Sequence, residues 1–399
     1  MRGIPIVPEV TELVDVELKI DKWVYGGSSL ARVDGRVVLV PFTLPGEQVR
    51  IELQKGHDAE LKEIVTASPE RVTPACPVFS RCGGCHYQHA PYAFEHAAKV
   101  EILREQLRRV GKIEYAGEIR SVTGPELGYR NRVQLHLRNQ QIGYLAAGSH
   151  DLVPISDCPI ASPKLNEVIA QLRDRMREPK FPHFVHSMEL FTNETDLQLN
   201  VLETDRPVAQ WFYKSFNSSM ALDYPTDFGT FRVSPKSFFQ VNRFLLNELV
   251  RAAVPEEGGR SALDLYAGVG LFAIPLARRF EQVTSVESGS TATRDLEFNA
   301  KRAGVALEGV NARVEDFLMN HKSRPDFVLA DPPRAGLGKT VTTHLNRLAP
   351  ARITIVSCDP ATLARDLAAL SGYEIAGITM VDLFPRTYHL ETVVELRRR

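Results

Sequence analysis

One stretch indicates the fold: Ser261-Ala262-Leu263-Asp264-Leu265-Tyr266-Ala267-Gly268-Val269-Gly270-Leu271-Phe272-Ala273. Its first half has the apolar character of a buried strand, and its second half turns into a helix. Glycines at 268 and 270 let the backbone approach a ligand closely at this strand-to-helix turn. A second predicted strand, residues 282–287, ends in Glu287, which is placed to bind ribose hydroxyls. The pattern predicts a parallel α/β domain that binds its ligand at the carboxyl ends of the strands.

The end of the chain narrows the class of this domain. Two strands are predicted over residues 373–382 and 391–396 with no helix between them, which makes a terminal antiparallel hairpin. A Gly-x-Gly pair also occurs in nicotinamide-dependent enzymes, but here the third glycine of their phosphate-binding spacing is missing. The run Asp-x-Tyr-x-Gly-x-Gly instead resembles the S-adenosylmethionine-binding loop. We therefore predict a Rossmann-like class I methyltransferase sheet with an antiparallel terminal hairpin.

Three further blocks bring reactive side chains to the ends of predicted strands. They are Asp331-Pro332-Pro333-Arg334, Ser357-Cys358-Asp359-Pro360 and residues 384–391, which end in Glu391. A cysteine thiolate adds to an electron-poor double bond, and a nearby carboxylate can later remove a proton. An inert buried thiol is the alternative for Cys358. The combination favours covalent catalysis.

In this order, the three blocks resemble the RNA uracil-5-methyltransferase family, and the resemblance spans nearly the whole chain. It implies that Cys358 adds to C6 of a uracil and that Glu391 removes the C5 proton after methyl transfer. Because the base must leave its stack to be reached, single-stranded or loop RNA is the expected substrate. The 23S ribosomal RNA type is favoured, and transfer RNA is possible.

The same resemblance implies a set of cofactor contacts. In the family, the block that matches residues 231–242 carries a glutamine that reaches the methyl donor, and the block that matches 331–334 carries an acid beside the cofactor and the target. The expected S-adenosylmethionine-binding residues are Gln240, Tyr266, Gly268, Gly270, Glu287 and Asp331. The block Tyr129-Arg130-Asn131-Arg132 also matches, and its arginines are expected to contact phosphates. Two positions depart from the family pattern: Asp359 stands where asparagine is common, and Arg386, which could alter substrate choice, stands where glutamine or histidine is common.

Four of the five cysteines form a three-plus-one pattern, Cys76, Cys82 and Cys85 followed at a distance by Cys158. Four thiolates can hold zinc tetrahedrally or a [4Fe–4S] cube, and the three-plus-one spacing is commoner for the cube. Four unrelated buried thiols are the alternative. Many family members carry this set as an iron–sulfur site, so the resemblance favours [4Fe–4S] over zinc.

The chain divides into three predicted domains. Several short strands indicate an OB-like β-barrel over residues 8–69, which resembles the RNA-binding TRAM domain. A barrel without RNA affinity is the alternative. Residues 70–235 form a central mixed α/β domain with the metal-binding cysteines, a helix over 92–109 and a hairpin around Asn193. Residues 236–399 form the catalytic domain.

Composition limits the choice of partners only weakly. The 399 residues carry a formal net charge of −1, so RNA affinity must rest on local charge, such as the excess of basic residues over 71–140. That excess is also typical of a solvated helix face. The sequence has neither a membrane-spanning apolar run nor a signal peptide, so we expect a cytoplasmic monomer with no membrane partner. An RNA cytosine-5 methyltransferase and a non-catalytic RNA-binding protein on the same fold are the alternative functions.

Overall fold

The structure is a computed structural model that describes residues 15–54 and 56–399. It consists of two compact units. Among the described residues, the first comprises 15–54, 56–80, 84–98 and 386–388, and the second comprises Arg81–Gly83, Lys99–Pro385 and His389–Arg399. Residues 8–14 of the predicted N-terminal domain lie outside the described residues.

The first unit is built on a five-stranded antiparallel sheet. Its strands are β1 (Asp15–Trp23), β2 (Ser28–Val33), β3 (Arg36–Pro41), β4 (Gln48–Leu53) and β5 (Ala59–Thr66). They are arranged in the order β3-β2-β1-β4-β5, and Leu39 of β3 also forms a parallel bridge with Asp58, just before β5. Apolar residues at alternate positions, such as Ile20, Val40 and Ile51, share one core. This period of two is expected of a sheet that buries one face.

Helix α1 (Tyr92–Arg109) has the bounds that the sequence predicts. The elements that follow it are β6 (Ile119–Val122), β7 (Arg132–Arg138), β8 (Gln141–Leu145), β9 (Leu152–Pro154), α2 (Pro163–Arg175), β10 (Val185–Thr192), β11 (Leu197–Thr204), α3 (Gln210–Lys214), β12 (Leu222–Thr226) and β13 (Gly229–Val233). Five of these strands form an antiparallel sheet in the order β11-β10-β7-β8-β9, and β12 pairs with β13. The hairpin predicted around Asn193 is β10–β11.

The remaining elements belong to the large sheet of the second unit and its helices. They are α4 (Leu246–Ala253), β14 (Gly259–Leu265), α5 (Ala273–Ala277), β15 (Phe280–Glu287), α6 (Ser290–Ala303), β16 (Glu308–Asn311), α7 (Val314–Asn320), β17 (Phe327–Ala330), α8 (Gly338–Leu348), β18 (Arg352–Ser357), α9 (Pro360–Ala369), β19 (Tyr373–Val381) and β20 (Glu391–Arg398). Together with β6, these seven strands form an eight-stranded sheet in the order β16-β15-β14-β17-β18-β20-β19-β6. Strand order reverses at β14, and such a point of an open α/β sheet is where ligands bind.

The terminal hairpin is confirmed. Strand β20 lies between β18 and β19 and is antiparallel to both, whereas β14 to β18 pair in parallel. Strand β6 adds a parallel edge to β19, although it comes from the segment that the sequence assigns to the central domain. Four residues are too few for a period to identify such a strand. Among the described residues, no helix is long and apolar enough to cross a membrane.

Candidate active site

Three of the predicted site residues meet at the carboxyl edge of the large sheet. Asp331 directly follows β17 and Cys358 directly follows β18, and these strands are parallel neighbours. Ser357 of β18 is paired with Thr392 of β20. Cys358 and Glu391 therefore lie one residue beyond that pair, at the ends of adjacent strands. The backbone N–H of Asp331 donates to the carbonyl of residue 265 at 3.3 Å, which ties this edge to the end of β14.

Burial raises the pKa values of all three groups, and repulsion from a neighbouring acid adds to the shifts of Cys358 and Glu391. Burial raises the pKa of the Cys358 thiol to about 12, and the negative charge of Glu391 acts in the same direction. Burial likewise raises the pKa of Glu391 well above its ordinary value, with Asp331 adding to the shift. Burial raises the pKa of Asp331 to about 7. The neutral thiol is therefore the dominant form of Cys358 at neutral pH, and the surroundings of Glu391 favour its protonated form.

An arginine and a histidine accompany the thiol. The positive charge of Arg334 lowers the pKa of Cys358 and partly opposes the effect of burial. Arg334 Nη2 lies 3.2 Å from His389 Nε2, and its backbone carbonyl accepts a bond from Thr362 Oγ1 at 3.1 Å. The ring of His389 packs edge-on against Phe384, with the ring centroids 5.6 Å apart. The sequence motifs contain both residues, but only the folded chain shows that they form a pair.

The predicted cofactor loop has the backbone that a close ligand requires. Tyr266, Gly268 and Gly270 all have positive φ angles, of 65°, 54° and 96°, and a Cβ at Gly270 would lie only 2.6 Å from Leu296 Cδ1. The Glu287 carboxylate accepts the N–H of Gly268 at 3.0 Å and that of residue 289 at 2.6 Å. The structure thus brings Glu287 and the glycine loop together. This cradle fits a nucleoside-containing cofactor.

A buried acid that the sequence analysis did not assign lies at the base of this loop. Asp264 is fully buried, and neither carboxyl oxygen has a hydrogen-bond partner in the described chain. Burial raises its pKa well above the ordinary value, and the charges of Asp331 and Glu287 add to the shift. The surroundings of Asp264 therefore favour its protonated form, and the carboxyl has unused hydrogen-bonding capacity beside the predicted cofactor site.

Gln240 is buried in the segment between β13 and α4. Its backbone carbonyl accepts a bond from Asn131 Nδ2 at 3.3 Å. Ser234 Oγ and Ser237 Oγ, earlier in the same segment, donate to the carboxylate of Asp295 on α6 at 2.7 and 3.0 Å. The segment that carries Gln240 is therefore attached to the helix that follows Glu287.

Asn299 links the same segment to the glycine loop. Its side chain accepts the N–H of Arg232 at 2.7 Å and donates to the carbonyl of Val269 at 3.0 Å. Both Asn299 and Asp295 are buried on α6. The sequence analysis did not identify them, although polar residues on the buried face of an amphipathic helix are a signal that could have found them.

Two arginines that the sequence analysis singled out are largely buried. Arg132, expected to contact phosphate, has a side chain that is only 11% exposed. Its guanidinium stacks 4.1 Å from the Phe191 ring centroid and donates to Ser237 O at 3.0 Å, so it supports the Gln240 segment from within. Arg386, at one of the departures from the family pattern, is buried in the first unit, where its Nη1 donates to the carbonyl of residue 90 at 2.7 Å and its N–H to Glu95 at 2.8 Å.

The other departure has a structural role that asparagine would also serve. Asp359 is the N-cap of α9, and its Oδ1 accepts the N–H groups of Ala361 and Thr362, both at 2.9 Å. Pro360 occupies the first helical position. Together these residues fix the start of the helix directly after Cys358.

The four predicted metal ligands lie on irregular backbone. In the second unit, Cys82 forms an isolated bridge with Ala146, and the N–H of Cys158 donates to Asn166 at 2.8 Å. Both thiols contribute to the raised pKa of the buried Tyr144 hydroxyl, after burial itself. In the first unit, the N–H of Cys76 donates to Gln88 at 3.0 Å, three residues after Cys85. Over residues 15–54 and 56–399, no group of three or more His, Cys, Asp or Glu side chains is arranged to hold a metal ion.

Comparison with known proteins identifies the family of this domain. The sequence model of the family described as tRNA (Uracil-5-)-methyltransferase matches residues 226–399. An RNA methyltransferase of Aquifex aeolicus is 32% identical over 96% of this chain and 98% of its own length. The 23S rRNA (uracil(1939)-C(5))-methyltransferase RlmD of Pectobacterium atrosepticum is 32% identical over 92% of this chain and 90% of its own length.

A solved structure extends the similarity to the fold. The tRNA (uracil-54, C5)-methyltransferase of Pyrococcus abyssi, in complex with S-adenosyl-L-homocysteine, superimposes with a TM-score of 0.76 at 27% identity, covering 96% of this chain and 100% of that one. The α/β sheet and its glycine loop thus define an S-adenosylmethionine-dependent methyltransferase. The chain belongs to the RNA uracil-5-methyltransferase family.

Proposed function

We propose that this protein methylates C5 of a uridine in 23S ribosomal RNA through a covalent bond between Cys358 and C6 of the base. The observation that carries the proposal is the meeting of Cys358, Glu391 and Asp331 at the ends of neighbouring strands. A nucleophile and a carboxyl group beside it are what carbon methylation of a pyrimidine requires.

The chemistry assigns one step to each of two side chains. The Cys358 thiolate forms a bond to C6, and the electrons of the C5–C6 double bond move toward C5 and O4. C5 would then bond to the methyl group of S-adenosylmethionine as the methyl–sulfur bond breaks, and S-adenosylhomocysteine would be the leaving group. Glu391, as a carboxylate, removes the C5 proton, and the returning electrons expel the thiolate. Asp331, beside both groups, would hydrogen-bond the target base.

The residues that would hold S-adenosylmethionine are those of the cradle. Glu287 would bind the ribose, the 266–270 loop would contact the cofactor, and Gln240 and Asp331 would complete the site. The unpartnered Asp264 carboxyl beneath the loop supports a polar ligand at this place. When bound, S-adenosylmethionine supplies an electrophilic methyl group and a positive charge.

The relatives support ribosomal rather than transfer RNA. The RlmD proteins of Pectobacterium atrosepticum and Methylococcus capsulatus are both 32% identical to this chain over more than nine-tenths of it. The structurally similar enzyme named for transfer RNA is 27% identical. The first-unit sheet, with its bridge from β3 to Asp58, supports the assignment of an OB-like, TRAM-type barrel that binds RNA.

The covalent mechanism is tested on a denaturing gel with labelled RNA. Wild-type protein with S-adenosylmethionine and RNA containing 5-fluorouridine should form a band that survives denaturation, because fluorine does not leave as a proton does. Cys358→Ala should form no band, and Glu391→Gln should accumulate an adduct with normal methylated RNA. A band with Cys358→Ala, or none with wild type, would refute the nucleophile assignment.

The target is tested separately by nucleoside analysis. RNA from cells lacking the protein should lose one 5-methyluridine from 23S ribosomal RNA and regain it when the gene is restored. Loss from transfer RNA would contradict the substrate assignment, and loss of 5-methylcytidine would support the cytosine alternative.

We further propose that Cys76, Cys82, Cys85 and Cys158 bind a [4Fe–4S] cluster. The proposal rests on the three-plus-one spacing and on the shared neighbourhood of Cys82 and Cys158 at Tyr144. Anaerobically purified protein should contain about four irons and four sulfides per chain. Cys158→Ser should lose them, and Cys358→Ser should retain them. Colourless protein with one zinc would support the tetrahedral alternative.

A further inference from the structure

The segment between β19 and β20 is held by three buried donors, which we call the carbonyl clamp. The carbonyls of residues 383, 384 and 385 accept hydrogen bonds from Asn242 Nδ2 at 3.1 Å, Lys99 Nζ at 3.1 Å and the Tyr129 hydroxyl at 2.9 Å, respectively. All three donors are fully buried. They come from α1, from the segment before β7 and from the segment before α4, so three distant parts of the sequence converge on three successive carbonyls.

One member of the clamp is also charged. Lys99 Nζ lies 2.9 Å from Asp382 Oδ1, with the two side chains 0% and 1% exposed. A buried ion pair of this kind seldom adds net stability, because desolvation of both charges offsets their attraction. What it does provide is one well-defined geometry. The clamp is therefore better explained by the need to fix the position of the segment between β19 and β20 than by a contribution to folding stability.

The clamped segment leads directly to groups around the thiol. Val381, the last residue before it, is paired with Glu391. The ring of Phe384, whose carbonyl is held by the clamp, packs against His389. His389 in turn lies 3.2 Å from Arg334, the cation that lowers the pKa of Cys358.

We propose that the members of the carbonyl clamp are positioning residues for formation of the covalent adduct. They fix Phe384, which fixes His389, and His389 keeps the Arg334 guanidinium beside Cys358. The inference rests on the proposed nucleophilic role of Cys358. Small displacements of groups around a reacting atom are costly in rate, so even loss of one clamp bond should slow the step.

The test uses two tyrosines with the same chemistry. Tyr129→Phe removes only the hydroxyl that donates to the carbonyl of residue 385. Tyr373→Phe is the matched control. Tyr373 begins β19 and lies outside the clamp, and its buried hydroxyl donates to Pro350 O at 3.0 Å. Three quantities are measured for each protein: the melting temperature, the affinity for S-adenosylmethionine and the rate of adduct formation on RNA containing 5-fluorouridine.

We expect both variants to lower the melting temperature by a similar few degrees. Only Tyr129→Phe should slow adduct formation, by about 10-fold, with the affinity for S-adenosylmethionine unchanged. Equal adduct rates in the two variants would overturn the proposed positioning role of the clamp. A rate loss that merely follows the melting temperature would overturn it as well. If the wild type itself forms no adduct, the proposed covalent mechanism is refuted, and the positioning role of the clamp is refuted with it.

Discussion

Replacing Asp331 with asparagine should stabilise the free protein at neutral and alkaline pH while it abolishes methyl transfer. Burial raises the pKa of Asp331 from 3.8 to about 7. The folded protein therefore binds this proton more tightly than the unfolded chain does. The stability that the proton contributes is fully present below pH 3.8 and is lost as the pH rises through 7.

The magnitude follows from the size of this shift. A shift of three pKa units corresponds to about 4 kcal/mol. Asp331 keeps part of its surface exposed and is coupled to Glu391, so about half of that, on the order of 2 kcal/mol, is the expected gain for Asp331→Asn above pH 7. For a unit of about 300 residues, the size of the second unit, this gain raises the melting temperature by about 3 °C.

Scanning calorimetry at pH 5, 7 and 8.5 measures the effect. The melting temperature of wild type should fall relative to Asp331→Asn as the pH rises, and the gap should be largest at pH 8.5. Asp174→Asn, an exposed substitution on α2, controls for the general loss of one negative charge. Parallel pH profiles for wild type and Asp331→Asn would refute the reasoning.

Three other predictions address separate parts of the site. Glu287→Ala should weaken S-adenosylmethionine binding in calorimetry by about 10- to 100-fold, because a charged hydrogen-bond acceptor is lost, whereas Glu281→Ala, exposed on the same strand, should have no effect. Arg334→Gln should slow alkylation of Cys358 by iodoacetamide at pH 8.5 several-fold, because less thiolate forms without the nearby cation. The exposed control Arg324→Gln should leave the rate unchanged. Equal alkylation rates in the two variants would contradict the role of Arg334. Asn299→Leu should lower both the melting temperature and the cofactor affinity, because it separates Arg232 from Val269, and an unchanged affinity would show that this link does not support the glycine loop.

The parts of the fold that could be predicted are those that local pattern determines. The strand-to-helix turn at Gly268 and Gly270, helix α1 and the terminal hairpin each have a period or a turn residue that identifies them. Strand β6 has neither, because its four residues become a strand only by pairing with β19. Sequence pattern describes one element at a time, and an edge strand of this kind depends on its neighbour.

The candidate site shows the same division. Cys358, Asp331 and Glu391 could be named because each follows or begins a predicted strand, and strand ends at one edge of a sheet must meet. The pairing of Arg334 with His389 could not be predicted, because 55 residues separate them and no periodicity connects them. The surroundings of Arg386 could not be predicted either: its bonds to Glu95 and to the carbonyl of residue 90 lie within the first unit, and an effect on substrate choice stays a prediction.

The charges of the free site explain why a reactive thiol can rest there without reacting. Burial and neighbouring acids raise the pKa values of Asp264 and Glu391 well above their ordinary range, and burial raises the pKa of Cys358 to about 12. A neutral thiol is a poor nucleophile and is oxidised slowly. The proposed cofactor is a cation, and a positive charge at this edge favours the ionised forms of both Cys358 and Glu391. If S-adenosylmethionine binds at this edge, its charge would favour the ionised forms of the proposed nucleophile and the proposed base together, so the thiol would be more reactive when a methyl donor is present than in the free protein.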